Sequence, residues 1–91
     1  MAYRIRISRE TKRQVDELPG HVRQRVREII TSLAEEPRPG FAKELRDEPG
    51  YFRIALMRWR VIYRVDDDGE TVVVLAVRVK SGPETYADFE G

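Results

Sequence analysis

The sequence has no cysteine, one histidine and one tryptophan in 91 residues. Without cysteine there is no disulfide, no thiolate nucleophile and no thiolate metal site. A lone histidine, His21, excludes acid–base catalysis by a histidine pair on count alone. It stands beside the Pro19-Gly20 break at a predicted helix start, where a structural role is the simpler reading. Long apolar runs are missing too. The longest, residues 72–77, falls far short of the roughly 20 residues that span a bilayer. Arg4 and Arg6 interrupt the N-terminus, so no secretory leader is expected and the cytoplasm is the expected compartment. Charge of one sign is also lacking, with 17 basic against 16 acidic residues. Net charge therefore announces neither a nucleic-acid binder nor an acidic-surface partner.

What is present is a short chain with an uneven charge pattern. Ninety-one residues make one domain, residues 1–91. A chain this size buries only about 60–65% of its unfolded surface, so its stability margin is thin and a partner could add burial. Residues 51–65, YFRIALMRWRVIYRV, hold Arg53, Arg58, Arg60 and Arg64 and no acid. Residues 66–70 hold Asp66, Asp67, Asp68 and Glu70. Basic and acidic surfaces are thus segregated. The acidic run fails as a calcium loop, since a twelfth-position Glu is needed and Val77 occupies that place. It reads as a solvated hairpin tip.

Periodicity supplies the elements. Residues 2–7 alternate, with Tyr3, Ile5 and Ile7 on one side and Arg4 and Arg6 on the other, which predicts a half-buried strand. Ser8 is a helix cap, and residues 9–18 form a charged helix with Val15 and Leu18 as its apolar contacts. After Pro19-Gly20, a second helix is predicted to about residue 36, with Val22, Val26, Ile29, Ile30 and Leu33 in one stripe. Residues 37–40, Pro-Arg-Pro-Gly, forbid helix. Residues 41–50 read as a connection anchored by Leu45, with Lys43 and Arg46 exposed, and Pro49-Gly50 as a turn. Three strands follow. Phe52, Ile54 and Leu56 alternate with Arg53, Ala55 and Met57, and a turn lies near Met57-Arg58. Trp59, Val61 and Tyr63 alternate with Arg60, Ile62 and Arg64. Residues 71–79 are apolar on both parities, as in a central strand covered on both sides. The fold class is α+β: an N-terminal strand, a helical hairpin, then a three-stranded antiparallel meander, forming one sheet.

The reactive side chains left are arginine, lysine and tyrosine. Arginines fixed on a strand can hold a phosphate through their planar forks, although basic residues on an outer strand face also serve solubility. Such a set can cleave RNA. The 2′-hydroxyl attacks its own phosphate, and guanidinium donors stabilise the charge that develops on the five-coordinate phosphorus. Lys or Tyr can move protons once neighbouring positive charge lowers its pKa. The substrate carries its own nucleophile, so neither a metal nor a cofactor is expected.

The sequence resembles the RelE/ParE superfamily of toxins from type II toxin–antitoxin systems. Leu45-Arg46, Pro49-Gly50-Tyr51, Arg53-Ile54 and residues 59–67 carry the resemblance, most strongly within residues 43–77. Resemblance to the RelE branch implies an mRNA endonuclease that acts in the ribosomal A site, meets ribosomal RNA there and blocks translation. It also implies a cognate antitoxin protein that wraps the toxin. By position, Arg53 would contact the substrate phosphate and Arg60 would stabilise the transition state. Lys80 falls where active members place an arginine, and Tyr86 falls at their C-terminal tyrosine. Lys43, Arg46 and Arg58 would contact the RNA. Three departures stand out: Ala55 where some members have a lysine base, Arg78-Val79-Lys80 in place of a glycine-led basic run, and Met57 at a common glycine turn. Two other functions share the fold. One is a ParE-like DNA gyrase inhibitor, and the other is an antitoxin-binding homologue with weakened catalysis.

Overall fold

A computed structural model describes residues 2–80. Strand β1 (Arg4–Ile7) leads into helices α1 (Arg9–Asp16) and α2 (Gly20–Ser32), followed by β2 (Ala42–Glu44), β3 (Tyr51–Leu56), β4 (Trp59–Asp66) and β5 (Thr71–Val79). The five strands form one sheet in the order β1-β5-β4-β3-β2. β1 runs parallel to β5, and every other pairing is antiparallel. The α+β class and the order of elements agree with the sequence reading. Residues 42–44, read as connection, instead form a fifth, edge strand paired to β3.

The two helices cover one face of the sheet. Val15, Leu18, Val22, Val26 and Leu33 pack against Phe52, Ile54, Val61, Tyr63, Val65, Val72, Val74 and Val77. The helical stripe is as expected, with Val22, Val26 and Leu33 fully buried. Tyr63 lies at the centre, stacked on Phe52 with ring centroids 5.6 Å apart. Its hydroxyl donates to the Pro37 carbonyl at 2.8 Å, so the buried phenol is satisfied. Burial pushes its pKa up.

α1 begins as Ser8 predicts. The Ser8 Oγ accepts from the Thr11 backbone N–H at 3.1 Å. α2 ends at Ser32, about four residues before its predicted end. The Tyr3 N–H takes the Ala34 carbonyl at 2.7 Å, drawing that segment to the start of β1 rather than onward as helix.

A bulge in β5 sets the facing of everything after it. Ile62 pairs with Ala76 and Tyr63 with Val74, so Leu75 has no partner on β4. The extra residue reverses the alternation. Val72 and Val74 face the helices, and beyond Leu75 it is Val77 that does so. Ala76 and Arg78 pass to the outer face. α1 holds this irregularity. Thr11 Oγ1 donates to the Leu75 carbonyl at 3.0 Å, and the Val77 N–H donates to Gln14 Oε1 at 3.0 Å. Thr11 is the one buried polar side chain among the described residues. The apolar pattern on both parities therefore has two causes: the bulge, and a small outer cluster where Leu45 covers Ile62 and Ala76.

The 66–70 tip is more than a solvated loop. Tyr3 Oη donates to Asp67 Oδ1 and Arg38 Nη2 to Asp67 Oδ2, both at 2.7 Å. The Arg38 guanidinium first, then the Tyr3 hydroxyl, holds the Asp67 carboxyl below the usual range. The Gly69 N–H donates to Asp66 Oδ1 at 3.2 Å, and a Cβ at Gly69 would lie 2.7 Å from Asp66 Oδ2, so that carboxylate would have to shift to admit one.

Candidate functional site

Strand alternation decides which side chains face away from the helices. On β3 these are Tyr51, Arg53 and Ala55, and on β4 they are Arg60, Ile62 and Arg64. On β5 they are Val73 before the bulge and Ala76 and Arg78 after it. Register arranges them in cross-strand rows. One row runs Ala55, Arg60, Arg78; the next runs Lys43, Arg53, Ile62, Ala76; a third runs Tyr51, Arg64, Val73, Arg6.

Arg60 is held at its guanidinium by the backbone. Its Nη1 donates to the Met57 carbonyl at 2.9 Å and to the Trp59 carbonyl at 2.8 Å, which fixes the guanidinium at the β3–β4 turn. The turn itself is strained, since Met57 holds a left-handed φ of 54°. Beside it, the Arg58 guanidinium lies 4.8 Å from the Trp59 ring centroid. The Lys80 N–H donates to the Arg58 carbonyl at 2.8 Å, continuing the β4–β5 pairing past the end of β5. That bond brings Lys80, exposed and in the parity of Arg78, to the same end of the sheet.

The structure therefore brings together Arg53, Arg60 and Lys80, with Arg53 diagonal to Arg60 on adjacent strands. Lys43 stands beside Arg53 on the edge strand. Arg58 lies at the turn, stacked on Trp59. Arg46 does not join them. It follows Leu45, whose N–H bonds the Tyr51 carbonyl, so it sits at the far end of β3 from Arg60. Tyr86 lies outside the described residues. Ala55, facing outward beside Arg60, offers no proton-transfer group.

Sequence reasoning missed Arg78. It stands directly opposite Arg60 in the ladder, and simple alternation from Val72 would have turned it toward the helices. The bulge re-aims it. Two guanidiniums on facing strands, with Arg53 one step away, concentrate donors of the kind that can hold a phosphate. Among the described residues, no group of three or more His, Cys, Asp or Glu side chains could hold a metal ion. No helix among them is long and apolar enough to cross a membrane.

The model of the ParE toxin of type II toxin–antitoxin systems, parDE, matches residues 5–82. The chain belongs to this toxin family. Solved structures place the toxin near RelE proteins as well. A chain in the RelBE2 toxin–antitoxin complex from Mycobacterium tuberculosis is 32% identical with a TM-score of 0.74, covering 88% of this chain and 100% of that one. The isolated E. coli RelE toxin is 25% identical with a TM-score of 0.77, covering 96% and 94%. The E. coli RelBE complex gives 26% identity and 0.76, covering 88% and 99%. Comparison with curated proteins finds no match. The toxin is a RelE/ParE-like component of a type II toxin–antitoxin system.

Proposed function

We propose that the toxin is a ribosome-dependent mRNA endonuclease that stops translation and is neutralised by a cognate antitoxin protein. The observation that carries this reading is the gathering of Arg53, Arg60 and Arg78 from three adjacent strands on one face of the sheet. The 2′-hydroxyl of the RNA attacks the adjacent phosphorus and the 5′-oxygen departs. Arg53 binds the phosphate in the ground state. Arg60, held by two carbonyls at the turn, meets the extra negative charge of the five-coordinate state with little reorganisation. Arg78, across the ladder, adds a second fork. Lys80 is the proton-transfer group nearest this end of the sheet, with Tyr86 the further candidate. Lys43 and Arg58 contact the RNA backbone on either side. The A-site message, with ribosomal RNA around it, is the proposed substrate, and the cytoplasm the proposed compartment.

The test is expression without antitoxin. Wild type should arrest growth and leave cuts inside codons of translated mRNA, and Arg60→Ala should do neither. A growth-arresting Arg60→Ala protein would contradict the assignment.

A second reading is favoured by the ParE family match: the same face would dock on DNA gyrase and do no chemistry. Inhibition of gyrase supercoiling by wild type, with mRNA left intact, would establish it over the first.

A further inference from the structure

A recess of about 330 Å³ lies on the outer face, lined by Arg6, Ile7, Ser8, Arg64 and Val73. It is distinct from the Arg53–Arg60–Arg78 cluster. Register explains it: Val73 pairs with Arg6 on one side and Arg64 on the other. Strands lie about 4.8 Å apart, so the two arginines bracket Val73 with Cα atoms roughly 10 Å from each other. Two guanidinium stems of that reach can close on one tetrahedral anion between them.

Among the described residues, no acidic side chain is paired with the arginines of the recess. None of its lining residues is acidic. Arg27 is paired with Asp16 and Arg38 with Asp67, each at 2.7 Å. Arg60 is tied to backbone carbonyls. The side chains of Arg6 and Arg64 have neither a hydrogen-bond nor an ion-pair partner among the described residues. Like charges facing each other across one strand are unfavourable unless an anion joins them. Along β4, Arg64 stands four residues from Arg60, about 13 Å, and Arg60 is directed to the turn at the opposite end. The two positions therefore meet different phosphates. Tyr51, half-buried, is the register partner of Arg64, one strand further from the recess, and packs against the outer cluster of Leu45, Ile62 and Ala76. Guanidinium groups along one face are what a single-stranded nucleic acid uses for its phosphates.

We infer that the recess between Arg6 and Arg64 is a second phosphate subsite, which holds the single-stranded RNA at a phosphodiester away from the one cut at Arg60. The inference rests on the RNA reading above and adds the direction of the strand across the sheet, from the β3–β4 turn toward β1.

Fluorescence anisotropy on the full chain tests it, using 2′-O-methyl RNA, which lacks the attacking hydroxyl. A dinucleotide reaches one row of arginines, and an octamer reaches both. Wild type should bind the octamer more tightly. Arg6→Gln and Arg64→Gln should each weaken the octamer about tenfold and change the dinucleotide by no more than about twofold. The slope of log affinity against log salt should fall by about 0.7 for each contact removed. Arg64→Lys, which keeps the charge and loses the fork, should fall between wild type and Arg64→Gln. Unchanged octamer binding in both Gln variants overturns the subsite. Equal losses on both lengths do so too, since they would report general damage. The nuclease reading is scored separately by cleavage in a translating extract. A wild type that cuts nothing yet shows the length-dependent loss keeps the subsite and removes the nuclease. A cutting wild type with unaffected octamer binding in the variants does the reverse.

Discussion

The two faces of the sheet do opposite work. The helix face is sealed: Val26, Leu33, Val61 and Tyr63 are fully buried, and the Tyr63 hydroxyl and the buried Thr11 hydroxyl each have a carbonyl partner. The outer face has only a small apolar centre, Leu45 over Ile62 and Ala76, with Lys43, Arg53, Arg60, Arg64 and Arg78 around it. Hydrophobic burial on the first face supplies stability, and the second carries the cations. A domain of this size has little stability to spare, so cationic groups are tolerable where water solvates them and an anion can join them. The bulge at Leu75 couples the two faces. Its polar groups are satisfied from the helix side by Thr11 and Gln14, while its effect appears on the outer side as the position of Arg78.

Substitutions should separate these roles. Leu33→Ala should cost about 3 kcal/mol by chemical denaturation, from lost transfer energy and a cavity. Arg53→Ala and Arg64→Ala should stay within about 0.5 kcal/mol of wild type. Comparable losses on both faces would break the division. Thr11→Val keeps the shape but strands the Leu75 carbonyl, so it should cost about 1–3 kcal/mol. Because it loosens the bulge, it should also shift the NMR signals of Arg78 more than those of Arg53. Met57→Gly relieves a left-handed backbone and should stabilise by up to about 1 kcal/mol, read as a raised denaturation midpoint.

The smallest expected effect is acidic. The folded-state pKa of Asp67 is depressed, so its contribution is present above the ordinary carboxylate value, about 3.9, and is lost as pH falls below that through the folded-state pKa. Asp67→Asn should flatten the stability profile below about pH 4 and leave it unchanged in shape near neutrality. An identical acid limb in the variant would remove this clamp from the account.

Much of this was legible in the sequence, for physical reasons. Alternation of Phe52, Ile54 and Leu56 against Arg53 and Ala55 fixes facing, because a strand has a period of two. The stripe from Val22 to Leu33 does the same for α2. What stayed hidden depends on contacts between distant segments. A bulge is one unpaired residue, and Val72 to Val77 are apolar on either side of it, so no hydropathy signal marks Leu75. Without the bulge, Arg78 has no place in the site. β2 is three residues long and has no alternation to read, being defined by its pairing to β3. The end of α2 is decided by Tyr3 reaching Ala34. Asp67 reads as a loop acid because Arg38 and Tyr3 are remote in sequence.

The central claim is that arginines on the open face act on a scissile phosphodiester. The direct measurement is the single-turnover cleavage rate of message on programmed ribosomes for wild type and Arg60→Ala, with the melting temperature of each. The account predicts a rate lower by about 10²–10³-fold in a variant that is still fully folded at the assay temperature. Equal rates in the two proteins, or no cleavage by wild type, would contradict it.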